Sequence, residues 1–266
     1  MVKCKLLTPK AEIATPLYVA LSALTFALLA AVWSALTYSD AVPPMFLPSP
    51  DKVVKDGVLL FTQFDLMSDI GASVFRVTVG FLLAAVIAVP LGIMMGSLKI
   101  CEALTEPVLS FIRYMPASAF IPLFILWLGI GESEKIAVIF FGTFFPLALM
   151  IMDVTKNVAH DLIDTAYTLG VSRWGVFRRV ILPASMPGIV DTLRIAFGWA
   201  WTYLVVAEIV AAGSGLGFMI MQAQRFLKTG NIIVGIIVIG VIGIIIDMVF
   251  KWLYGRMFPW MGKGGR

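Results

Sequence analysis

Asp164 to Pro183 reads DTAYTLGVSRWGVFRRVILP and is the longest charged interval between two strongly apolar segments. Asp161 or Asp164 can cap a short helix on which Leu162, Ala166 and Leu169 recur at helical spacing, and Gly170 is placed to stop it in a left-handed turn. Ser172 can cap a second helix. That helix would bury Val176, Phe177 and Val180, with Arg173, Arg178 and Arg179 adding positive charge toward its end before Pro183 stops it. Two short helices on a glycine joint, displayed between membrane spans, make a rigid knob; an amphipathic surface hairpin is the plainer alternative.

The rest of the chain supplies the membrane. Hydrophobic residues make up 60% and charged residues 14% of the 266 residues, with a mean hydropathy of +0.98, well above the roughly 45 to 50% apolar share of a soluble domain. The class is all-α and polytopic. A net charge of +4 that comes from loops does not suggest nucleic-acid binding; it reports topology against an anionic inner leaflet. Cys4 and Cys101 have no metal spacing and are not expected to pair.

Six spans are expected. The first is Leu17 to Thr37, preceded by Lys3, Lys5 and Lys10, and is read as a retained helix with a cytoplasmic N-terminus because its length exceeds a signal-peptide core. Pro43, Pro44, Pro48 and Pro50 then mark an extended surface segment. Asp51 to Met67 follows as an amphipathic piece on the outer interface, its greasy stripe formed by Val54, Val58, Phe61 and Leu66. The second span runs from about Val74 to Ser97 and carries Gly92 and Gly96 as GxxxG, a spacing that lets helices approach closely in lipid. Lys99 to Pro107 is expected to be a short polar loop. The third span, about Val108 to Leu128, is interrupted by Pro116 and Pro122, and broken helices survive in lipid only beside protein or a wet cavity. The others are Ile136 to Met152, Gly188 to Ala212 and Ile232 to Tyr254, with a glycine turn and a non-crossing helix between Gly213 and Gly230.

With the N-terminus inside, twelve of the 20 basic residues fall on inner segments and five (Lys52, Lys55, Lys135, Arg225 and Lys228) on outer ones, leaving Arg76, Arg113 and Arg194 within spans. The knob is therefore cytoplasmic, and so are both termini. The chain reads as a single transmembrane domain over residues 1–266, with the cytoplasmic loop at about 154–187, the outer interfacial segment at about 38–72 and the outer loop at about 213–230.

A charge in a span costs about 2.5 to 3.5 kcal/mol on insertion scales and so implies a partner, a cavity or a function. Asp247 and Lys251, four apart, suit an internal pair, as do Asp191 and Arg194. Arg76 and Glu208 fall near the outer ends of their spans, where snorkelling to the interface is the default expectation. Arg113 has no acid at helical spacing and lies just before Pro116, which makes it the preferred pathway charge. Pro116, Pro122, Arg194 and Glu208 complete the candidate pathway set. No catalytic residue and no metal cluster is evident: His160 is the only histidine, so a Ser or Cys triad or a metal enzyme lacks its parts. A secondary transporter would show inverted halves with matching broken helices, which are absent from the sequence.

The cytoplasmic interval resembles the loop of ATP-binding-cassette importer permeases, whose pattern is Glu-Ala-Ala, three residues, Gly, nine residues, Ile, one residue, Leu-Pro. Asp164, Thr165 and Ala166 stand for the triplet, Gly170 falls in place, and Val180, Leu182 and Pro183 close it; Asp for Glu, Thr for Ala and Val for Ile are departures. LPSPDKVV (47–54), SVFRVTVGF (73–81), PLGIMMG (90–96), IPLFILWLGIGES (121–133), LRIAFGWAW (193–201) and AEIVAAGSGLGFMI (207–220) look like successive blocks of the subfamily that imports nitrate, bicarbonate, taurine or alkanesulfonates, with relatives for neutral pyrimidine precursors of thiamine. The resemblance implies a type I importer permease in the bacterial inner membrane, working as a homodimer with two cytoplasmic ATPase subunits and an extracytoplasmic solute-binding protein. The coupling loop it implies comprises Asp164, Thr165, Ala166, Gly170, Arg173, Phe177, Arg178, Val180, Leu182 and Pro183. ATP and Mg would belong to the partner ATPase: the chain has no GxxxxGK[ST] phosphate loop.

Overall fold

The computed structural model describes residues 14–39 and 41–261; Cys4, the N-terminal lysines, Lys263 and Arg266 lie outside them. The described residues form helices and no strands. These are α1 (Thr15–Tyr38), α2 (Pro50–Gln63), α3 (Leu66–Ser97), α4 (Lys99–Arg113), α5 (Ile121–Leu128), α6 (Glu132–Lys156), α7 (His160–Thr168), α8 (Arg173–Val176), α9 (Leu182–Ala211), α10 (Leu216–Arg225) and α11 (Thr229–Met257), with short 3-10 turns at Ala117–Phe120 and Pro259–Met261. Five helices or helix runs are long and apolar enough to cross a membrane, and α4 with the segment Ala117–Leu128 forms a sixth, broken by a bend of 85°.

α3, α6 and α9 make the core. Small residues set their separation, because packing between helices in lipid relies on van der Waals contact at close range. A Cβ on Gly92 would lie 2.6 Å from the Ala148 carbonyl oxygen, and one on Gly96 would lie 2.7 Å from that of Met152. The GxxxG pair is thus the seam between α3 and α6. α1 stands apart, exposing Phe26, Leu29 and Val32, and is tied down at its C-terminal end by Trp33 donating to the Pro48 carbonyl and Tyr38 donating to Asp51. α2 turns Val53 and Leu60 inward and leaves Val54, Val58 and Phe61 exposed, as a helix lying on an interface requires.

Three boundaries differ from the sequence reading. Leu66 does not belong to the interfacial stripe; it is buried as the first residue of α3, which begins eight residues before the expected Val74. Lys99 to Pro107 is helix rather than loop. Its exposed face carries Ile100, Leu104 and Val108 while Glu102 turns inward to accept from Lys156 at 2.8 Å, so the charge that suggested a loop is in part paired across to α6. Finally, Pro183 does not stop the second loop helix. The chain passes through a π turn at Phe177–Ile181, where Leu182 N–H bonds the Phe177 carbonyl, so the ladder has already shifted register when the missing proline N–H is reached.

Glu102, at the start of α4, touches Lys156, at the C-terminal end of α6, whereas α6 begins at its opposite end with Glu132. The 25 residues of α6 span about 37 Å at 1.5 Å per residue. The chain between α4 and α6 must therefore traverse that thickness. It does so through the bent pair, with Pro116 capping the 3-10 turn and Pro122 in the first turn of α5, positions where a missing N–H costs nothing.

Candidate functional site

α7 and α8 form the knob. α7 begins after Ala159, so neither Asp161 nor Asp164 is its cap; Asp161 instead lies in its first turn, where a carboxylate meets the positive end of the helix. Its end is a Schellman motif: Gly170 N–H bonds the Tyr167 carbonyl at 2.9 Å, Val171 N–H bonds that of Ala166 at 3.0 Å, and Gly170 takes φ +75°. Ser172 then accepts from Gly175 N–H at 3.3 Å and caps α8. Ala166 and Val176 are buried beneath the joint, and Phe177 and Val180 are half-buried. Outward, Leu162 (52%), Leu169 (77%) and Trp174 (68%) are exposed, with Trp174 stacked on Phe177 at 5.3 Å. Trp174, Arg178 and Arg179 line a dent beside Gly170. A connection between spans that shows large apolar side chains beside arginines has the chemistry of an interface. Asp164, Thr165 and Arg173 are exposed on the same knob, while Leu182 and Pro183 open α9 behind it.

The other end of the same helices holds a polar network that the sequence reading missed. Arg76 and Glu208 do not snorkel: their side chains are 2% and 0% exposed. Arg76 Nη1 donates to Glu208 Oε1 and to the Ser214 carbonyl, both at 2.7 Å. Nε and Nη2 donate to the two carboxylate oxygens of Glu132 at 2.6 Å, and Nη2 also donates to Ser214 Oγ at 2.9 Å. All five guanidinium donors are used. A buried charge is tolerable only with this degree of pairing, which is why the interface is not its resting place. Lys135 is likewise buried rather than a surface loop charge, donating to the Gly131 carbonyl at 2.8 Å. The signal available in sequence was that SVFR, GES and AEIVAAGSG each carry one charged member of the cluster at one depth.

The pathway candidates are not brought together. Glu208 has every bond inside the protein and lines no surface of this chain. Arg113 ends α4, exposed, its guanidinium 5.0 Å from the Tyr114 ring centre, and Pro116 and Pro122 lie at the bend that follows. Arg194 pairs with Asp191 at 3.4 Å and with Asp247 on α11 at 3.5 Å, and Asp247 with Lys251 at 2.7 Å. Among the described residues no group of three or more His, Cys, Asp or Glu is placed to hold a metal ion.

Comparison with known proteins carries this geometry to a family. The model for the binding-protein-dependent transport system inner membrane component matches residues 88–263. The taurine transport system permease protein TauC of Escherichia coli (strain K12) is 35% identical over 250 residues, 92% of this chain and 91% of that protein. The nitrate import permease protein NrtB of a Synechocystis species is 30% identical over 246 residues, 89% of this chain and 88% of that one. The fold is similar to that of the MetNI methionine ABC transporter in an inward-facing conformation, with a TM-score of 0.60 at 19% identity over 71% of this chain and 96% of that chain. An all-helical chain with five long apolar helices, a broken sixth crossing and a knob between two of its core helices is thus a member of the family of binding-protein-dependent ABC importer inner-membrane permeases.

Proposed function

We propose that this permease imports a small oxyanion, of the sulfonate or nitrate kind, as one of two identical membrane subunits. Two cytoplasmic ATPase subunits dock on the α7–α8 knob and carry the ATP and Mg, and an extracytoplasmic binding protein delivers the solute to the outer face. Both termini lie on the cytoplasmic side with the knob. The solutes in the relatives' names, taurine and nitrate, favour an oxyanion over a neutral pyrimidine.

The observation that carries the reading is the exposed set Leu162, Leu169 and Trp174 on a joint held rigid by a Schellman turn and a serine cap. Buried aromatic anchors dominate protein interfaces, and truncating one costs about 2 kcal/mol or more, some thirtyfold in affinity. Trp174→Ala is therefore expected to weaken binding of the cassette ATPase to the permease in vesicles by that order. Undiminished ATPase binding would remove the knob from the interface. Direct uptake of taurine and of nitrate into vesicles holding the permease, the ATPase and the binding protein then tests the solute class.

A further inference from the structure

The two core helices that carry the knob at their inner ends meet at one arginine at their outer ends. α6 runs from Glu132 to Lys156, the knob follows, and α9 returns from Leu182 to Ala211. Glu132, in the first turn of α6, and Glu208, in the last turn of α9, are both bonded by Arg76 of α3. A third element joins them. The chain from Ser214, between α9 and α10, to Gly217, in the first turn of α10, passes over the cluster and is held by it at each residue: Arg76 takes the Ser214 carbonyl and hydroxyl, Asp69 accepts from Gly215 N–H at 2.6 Å, Ser73 Oγ accepts from Leu216 N–H at 2.9 Å, and Glu208 Oε2 accepts from Gly217 N–H at 2.8 Å. Gly215 has φ +110°, and a Cβ there would lie 2.7 Å from Arg76 Nη1, so the turn is shaped to the cluster.

Such a network is an expensive way to gain stability, since well-packed apolar residues usually do as well as a buried ion pair. What it supplies is geometry, because a planar fork with five donors fixes the angles among its partners in a way an ammonium cannot. We propose that Arg76 is a positioning residue for transport. It binds the outer ends of α6 and α9 and the turn that starts α10 into one body, so that a displacement of the knob reaches the outer turn through two continuous helices. The proposal rests on the importer reading above, with the knob as the ATPase docking element.

The test uses the complete transporter in vesicles, with Arg76→Lys keeping the charge and losing the fork. Ser214→Cys, in otherwise wild-type and in Arg76→Lys protein, reports on the turn through its rate of reaction with an impermeant maleimide from the outer side. The expected result for Arg76→Lys is faster labelling at position 214 and a loss of roughly tenfold in the stimulation of ATP hydrolysis by loaded binding protein, within the usual range of coupling between sites. Both are measured per assembled complex. Unchanged stimulation per assembled complex, or losses that only follow the amount assembled, would overturn the proposal. If Arg76→Lys does not assemble, Ser73→Ala gives the same two readouts, with Ser73→Thr expected to restore both and failure to restore counting against the proposal. Absence of ATP-driven uptake of taurine or nitrate by the wild type would sink the solute reading alone, because the difference in labelling at position 214 between assembled wild-type and Arg76→Lys complexes needs no solute.

Discussion

Arg194 Nη1 lies 3.5 Å from Asp247 Oδ1, which joins α9 to α11 across a face where both side chains stay partly exposed. Asp191 and Lys251 extend the pair into a line of alternating charge, also partly exposed, within two membrane-spanning helices. Lipid is a poor neighbour for that line, so water or a second subunit must cover it. Breaking an exposed pair costs about 0 to 1 kcal/mol of stability. Arg194→Gln is accordingly expected to leave assembly within that margin while lowering anion uptake several-fold, and Arg194→Lys to retain most of it; uptake at wild-type rate by the Gln variant removes Arg194 from the pathway.

Arg113 is the other candidate charge. It closes α4, where a cation suits the negative helix end, and it sits directly before the bend that lets the chain cross. Arg113→Gln should lower initial uptake of an anion while ATPase binding at the knob stays intact, whereas snorkelling to inner-leaflet phosphates predicts no change in uptake.

Gly170 tests the joint. Nothing lies within 4 Å of a Cβ added there, so the cost of Gly170→Val is confined to the backbone at φ +75°, about 1 to 2 kcal/mol. The variant should insert and assemble, yet leave hydrolysis by the partner ATPase unresponsive to loaded binding protein. Asn tolerates the left-handed region, and Gly170→Asn should therefore recover much of the response. Equal behaviour of Val and Asn would show that the turn conformation is irrelevant.

The α3–α6 seam predicts a purely structural lesion. Gly96→Ala would place a methyl group 2.7 Å from the Met152 carbonyl oxygen, and overpacking of this kind costs about 1 to 3 kcal/mol. Thermal unfolding of the purified permease in detergent should fall in temperature, with uptake per folded molecule unchanged.

Cys101 reports the membrane side. It is half-buried on α4, near the C-terminal end of α6 that Glu102 contacts, the end expected on the cytoplasmic side. An impermeant maleimide added to intact cells should not modify it, and any reaction should appear only in inverted vesicles. Modification from outside would reverse the orientation.

Much of the architecture was legible in the chain because the membrane enforces it. Spans such as Ile232 to Tyr254 must be apolar for about 20 residues, and glycine and serine are the residues a tight joint between helices needs, so Gly170 and Ser172 declared their roles locally. Gly92 and Gly96 likewise marked a seam, though not the partner helix. Lys99 to Pro107 reads as a loop locally because its central acid, Glu102, is paired by Lys156 of α6, which local pattern does not reveal. Arg76 and Glu208 lie 132 residues apart in sequence. Each taken alone resembles an interfacial charge, and only the packing of α3, α6 and α9 shows that the two are buried against each other, with the half-exposed Glu132 and the Ser214 turn completing the site. The length of a continuous apolar run determines which segments enter the membrane; which of their polar groups meet is decided by helix packing, because desolvation makes an unpaired charge there too costly and its partner can come from any neighbouring helix.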